Sequence, residues 1–141
     1  DYVDSEKYQY KVWDWNAQSS QMIFSQPISH ETNVAWSSDP NVLAFVNSTT
    51  TQVWNVSTQT MVSQYSETRN GVLSWAPDGR YLATANNSQV IIWDTSNGTH
   101  IYTYTGNFHY VRSLAWSPRG NYLVSGESSA SGYNFAHIWA A

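Results

Sequence analysis

Short runs of alternating apolar and polar residues fill this chain, each only long enough for a β-strand. In residues 99–105, Ile101, Thr103 and Thr105 alternate with Tyr102 and Tyr104. A polar stretch follows, Gly106-Asn107-Phe108-His109, and residues 111–117 then predict a second strand. Pro118-Arg119-Gly120-Asn121 reads as a turn, with proline presetting φ and glycine able to take a positive one. Residues 122–126 predict a third strand and residues 135–139 a fourth. Upstream, Ala76-Pro77-Asp78-Gly79-Arg80 is a similar turn before Tyr81-Leu82-Ala83-Thr84, and Ser37-Ser38-Asp39-Pro40-Asn41 precedes Val42-Leu43-Ala44-Phe45. No stretch of useful length carries the 3.6-residue period of an amphipathic helix.

The pattern repeats. Val34-Ala35-Trp36-Ser37, Leu73-Ser74-Trp75-Ala76 and Leu114-Ala115-Trp116-Ser117 place tryptophans 39 and then 41 residues apart. A second series, Val12-Trp13-Asp14, Val53-Trp54-Asn55, Ile92-Trp93-Asp94 and Ile138-Trp139-Ala140, has spacings of 41, 39 and 46. Two markers recurring at this period mean one supersecondary unit copied along the chain. Four short antiparallel strands per copy predict an all-β fold of propeller blades. The units are a partial blade at 1–29 and blades at 30–66, 67–105 and 106–141. The partial blade supplies one strand pair, 8–15 and 21–28.

The Trp-Asp dipeptides at 13–14 and 93–94, with Leu73-Ser74-Trp75-Ala76-Pro77-Asp78-Gly79-Arg80-Tyr81-Leu82-Ala83-Thr84, resemble WD repeats of the kind found in bacterial WD-repeat arrays. The resemblance covers nearly the whole chain, about three and a half repeats. It implies a non-catalytic scaffold presenting loops on a propeller rim to protein partners. WD repeats also carry a Gly-His pair before the second strand, and here that place holds Asn107, Ser66 and Pro27. The family's His–Asp–Ser/Thr–Trp network is therefore expected to be incomplete and its tethering weaker, with Thr84 and Ser125 able to fill the hydroxyl place. Asn87 stands where the turn aspartate would be, and Ser48 and Tyr133 replace it elsewhere.

Composition narrows the chemistry. Charged residues are 11% of the 141, whereas Ser, Thr, Asn and Gln number 52, so hydroxyls and amides build the polar surface. Net charge is −4, and Lys7, Lys11, Arg69, Arg80, Arg112 and Arg119 are dispersed, which argues against nucleic acid as a partner. Cysteine is absent, which removes disulfide and thiolate chemistry. The longest apolar run, residues 42–46, is far short of a membrane-spanning helix. His30, His100, His109 and His137 have no metal-ligand spacing, and no cofactor motif is present. Gly126-Glu127-Ser128-Ser129-Ala130 lacks the final glycine of a nucleophile elbow and precedes a strand, so no catalytic residue is assigned.

Seven of the eight tryptophans, Trp13, Trp36, Trp54, Trp75, Trp93, Trp116 and Trp139, fall on repeat markers, and their side chains are expected to pack between blades. Trp15 alone falls outside. Partner-binding candidates lie on the loops of one rim: His30, Glu31, Arg69, Asn70, Phe108, His109, Tyr110, Glu127 and Tyr133. The loop of residues 126–134 is the longest. Trp116 to Trp139 spans 23 residues, against 18 from Trp36 to Trp54 and from Trp75 to Trp93. Such an insertion on one loop marks a candidate working face. Exposed aromatics such as Tyr8, Tyr10, Trp15, Tyr110 and Tyr133 offer an alternative, a carbohydrate- or small-ligand-binding propeller.

Three and a half repeats do not close a ring, since propellers need about four to eight blades. The apolar faces of the two end blades then call for cover. Either the chain is a half-ring that pairs with a second copy, or it is part of a longer propeller with further blades. The two-fold arrangement would give about six blades.

Overall fold

The computed structural model describes residues 9–14, 21–27, 33–46, 50–66 and 71–141. Thirteen antiparallel strands form four sheets, and no helix occurs among the described residues. Strands β1 (Gln9–Asp14) and β2 (Gln21–Pro27) make a hairpin. The first full sheet is β3 (Asn33–Trp36), β4 (Val42–Val46), β5 (Thr51–Asn55) and β6 (Thr60–Tyr65). The second is β7 (Leu73–Trp75), β8 (Tyr81–Asn86), β9 (Gln89–Asp94) and β10 (Thr99–Tyr104). The third holds β11 (Tyr110–Trp116), β12 (Tyr122–Ser128) and β13 (Asn134–Ala140). Each sheet runs in sequence order, and the set does not close a ring.

The turns take their predicted form. Gly79 and Gly120 have φ of 71° and 75°, and their N–H groups donate to Ala76 and Ser117 carbonyls at 3.0 and 2.9 Å. Residues 99–104 form β10, which pairs with β9 in the sheet of β7, β8 and β9.

The core lies in the seams between sheets. Ala44, Val53 and Tyr65 of the first sheet meet Trp75, Leu82, Ile91 and Trp93 of the second. Ala83, Ala85, Val90 and Ile92 on the second sheet's other face meet Val111 and Leu123 of the third. Leu43, Phe45 and Val56 pack with Val12 and Trp54. The central strands record this sandwiching. In β8 four consecutive residues are buried, because both faces are covered, whereas β12 alternates, because one face is open.

The innermost strands are joined by one recurring bond. Trp75 Nε1 donates to the Ala35 carbonyl at 3.1 Å, and Trp116 Nε1 donates to the Ser74 carbonyl at 3.1 Å. Each acceptor is the residue before the previous sheet's own marker tryptophan. The tryptophan expectation needs one correction. Trp75 and Trp93 are buried and Trp54, Trp116 and Trp139 half-buried, but Trp13 and Trp36 are exposed, Trp36 at 48%. Trp36 points away from the second sheet, so among the described residues no sheet covers it as the first covers Trp75.

Candidate functional site

Three connections converge at one end of the second and third sheets: β8–β9, β10–β11 and β12–β13. The first is the two-residue turn Asn87-Ser88, in which Asn87 takes a φ of 55°, a left-handed conformation that asparagine tolerates better than most residues. Its carbonyl accepts the Val111 N–H at 2.9 Å, which ties this turn to the next sheet.

The β10–β11 connection is fixed from beneath. Trp139 Nε1 donates to Ser125 Oγ at 2.9 Å, and Ser125 Oγ donates to Asn107 Oδ1 at 2.8 Å. Asn107 thus takes the absent histidine's place toward the hydroxyl, but its buried Nδ2 has no hydrogen-bond partner among the described residues, so the network stays incomplete as the sequence predicts. An amide oxygen accepts from a hydroxyl as well as an imidazole nitrogen does. Glu127, only 3% exposed, accepts the His109 N–H at 2.6 Å on one carboxylate oxygen and meets His137 Nε2 at 2.8 Å on the other. Burial disfavours its charged form, but the His109 N–H, His137 and the Phe108 backbone outweigh that and hold the carboxyl below its ordinary range.

The β12–β13 connection, residues 129–133, is ordered by one serine. The Ser129 N–H donates to the Tyr133 carbonyl at 3.0 Å, and Ser129 Oγ accepts the Tyr133 N–H at 3.2 Å. The inserted residues do not all go into this loop. β12 and β13 are seven residues each, against six in β8 and β9, so part of the insertion lengthens the strands.

Between these connections lies a cleft of about 600 Å³. Phe108, 79% exposed, and Tyr110 stand on one side, with Ser128, Ser129 and Ala130 opposite. Arg112 lies along it. Its Nε donates to Ser128 Oγ at 3.3 Å, and its guanidinium carbon sits 5.6 Å from the centre of the Tyr110 ring. His109 lines the cleft and stacks on Phe135 with ring centres 6.3 Å apart.

Of the sequence candidates, Phe108, His109 and Tyr110 come together here. Glu127 needs correction: its position on β12 turns the carboxylate inward beneath the cleft, where its oxygens are taken up by His109 and His137. Tyr133 is exposed but does not line the cleft. His30, Glu31, Arg69 and Asn70 lie outside the described residues, as does Trp15. Sequence reasoning passed over Arg112. It sits where the β11–β12 register shifts between Val111 and Ser113, and both Arg112 and Ser113 are exposed there, an irregularity that period-2 alternation does not reveal. Among the described residues no group of three or more His, Asp or Glu is placed to hold a metal, and no helix is long and apolar enough to cross a membrane.

Antiparallel sheets stacked through tryptophan-bearing seams, with loops gathered on one rim, define a WD-repeat β-propeller protein. The family model for the WD domain, G-beta repeat, matches residues 98–139. The model described as Eukaryotic translation initiation factor eIF2A matches residues 8–115, and the chain belongs to that family. No curated protein matches the chain in sequence. Among solved structures, Kuenenia stuttgartiensis Hydrazine Synthase is similar in fold, with a TM-score of 0.69 at 16% identity. That match covers 79% of this chain and 35% of the other, so this chain spans about a third of that relative.

Proposed function

We propose that this protein is a non-catalytic interaction module that docks a protein partner on the loop-bearing rim. The observation that carries the reading is the cleft between the last two sheets, where Phe108, on a loop tied down by Glu127 and Asn107, and Tyr110, at the start of β11, stay exposed. Exposed aromatics on a preformed support bind at low ordering cost. WD repeats generally serve as interaction scaffolds, which agrees with this role. The test is a paired array, peptides and glycans, probed with the wild-type chain, Phe108→Ala and Tyr133→Ala. Peptide binding that Phe108→Ala abolishes is the expected result. Specific sugar binding lost in Tyr133→Ala would replace this reading with the carbohydrate one.

The ring is completed across the outer face of the third sheet, by a second copy or by further blades. Repeat correspondence supports this. The cross-strand pairs Ala44–Val53 and Ala83–Ile92 are buried against the following sheet, whereas at the equivalent pair Val124–Ile138, Ile138 is 74% exposed against 6% for Ile92.

A further inference from the structure

We propose that the rim cleft captures a peptide bearing an aspartate or glutamate next to an apolar residue, with Arg112 as the anchor for the carboxylate. The inference rests on the interaction role argued above and names its ligand. Arg112 is the only formal charge among the lining residues. Two contacts fix its orientation, Nε to Ser128 Oγ and the guanidinium over Tyr110. A fork held in this way loses little freedom when it receives a carboxylate through two parallel N–H···O bonds.

The contrast with Arg80 is informative. Arg80 is neutralised within its own sheet, where Nε and Nη2 both reach Asp94 Oδ2, at 3.0 and 2.7 Å. Arg112 forms no ion pair among the described residues, where the two ion pairs are Arg80–Asp94 and Glu127–His137. The carboxylate beneath the cleft, Glu127, is buried and engaged. In a chain of net charge −4, the lining of this cleft is locally cationic and complements an acidic ligand. Phe108, in the same lining, supplies an apolar contact for the neighbouring residue. Ser88 and Ser129 offer hydroxyls that donate or accept, as a peptide main chain requires.

The test selects binders from a random displayed peptide library on the wild-type chain. Affinities are then measured by fluorescence anisotropy for wild type, Arg112→Gln, Arg112→Lys and Phe108→Ala. Both positions changed are solvent-facing, and matched thermal melts verify that each variant is folded. The enriched peptides are expected to share an acidic residue within a few positions of an apolar one. Arg112→Gln should weaken them about tenfold or more, with Arg112→Lys between, because lysine keeps the charge and loses the fork. Replacing the peptide's Asp by Asn should cost as much in wild type and nothing in Arg112→Gln, the signature of a direct pair. Peptides that lose binding in Phe108→Ala but carry no acid and ignore Arg112→Gln would overturn this inference and leave the interaction reading standing. Binding indifferent to both positions, or no binding, would overturn both.

Discussion

Trp93 and Trp139 each donate an indole N–H to a hydroxyl on the neighbouring strand, Thr84 at 2.9 Å and Ser125 at 2.9 Å. In the first sheet Phe45 occupies that place, and Trp54 stacks on it with ring centres 6.4 Å apart. Ser125 carries more than Thr84, because it also donates to Asn107. Ser125→Ala leaves both a half-buried indole donor and a buried amide oxygen without that hydroxyl. It should lower stability by about 1–3 kcal/mol, read as a shift in urea midpoint. A second residue sets acid behaviour. Asp94 is buried, and Arg80 first, then Ser96, hold its carboxyl down to about 2. A folded pKa below the unfolded value stabilises fully above the unfolded pKa, and that contribution is lost as pH falls through the folded one. Wild type should therefore lose stability between about pH 4 and pH 2, and Asp94→Asn should lose less across that window. Urea unfolding at pH 6, 4 and 2.5 checks this.

At the scale of strands and sheets, much of the fold was legible. Both tryptophan series, the Pro-Asp-Gly and Pro-Arg-Gly turns and the alternation in 99–105 are local signals, and local signals set where strands begin and end. Pairing partners are not local. Nothing within 99–105 itself says which strand it pairs with; only the repeat spacing placed it in the unit 67–105, and β10 pairs with β9. For the cleft, exposed Phe108 and Tyr110 were legible as loop residues. Glu127 looked equally available, and its inward turn appears only once β12 extends to Ser128. The seam geometry also makes corresponding isoleucines unequal. Ile92→Ala should cost about 2–5 kcal/mol, because it opens a cavity between two sheets. Ile138→Ala should stay within about 0.5 kcal/mol for the isolated chain. Urea midpoints of the two variants, measured at low protein concentration, give the comparison.

The molecule as a whole is an arc with unlike ends. Toward one end the first full sheet, packed by the hairpin at Val12, leaves Trp36 and Val34 exposed, and the other end offers Ile138 of the third sheet. If a second copy completes the ring, light scattering should give a mass near twice 16.0 kDa, and Ile138→Asp should return it to one chain. A wild-type mass of one chain at all concentrations would assign completion to further blades instead.

The bonds between innermost strands have a direction. In both seams the indole belongs to the later sheet and the carbonyl to the earlier one. A ribosome releases the acceptor before the donor, so each emerging unit meets a surface already finished and latches backward onto it. Assembly from the amino end is then a succession of nearly identical local steps, each covering the face that the previous sheet left open.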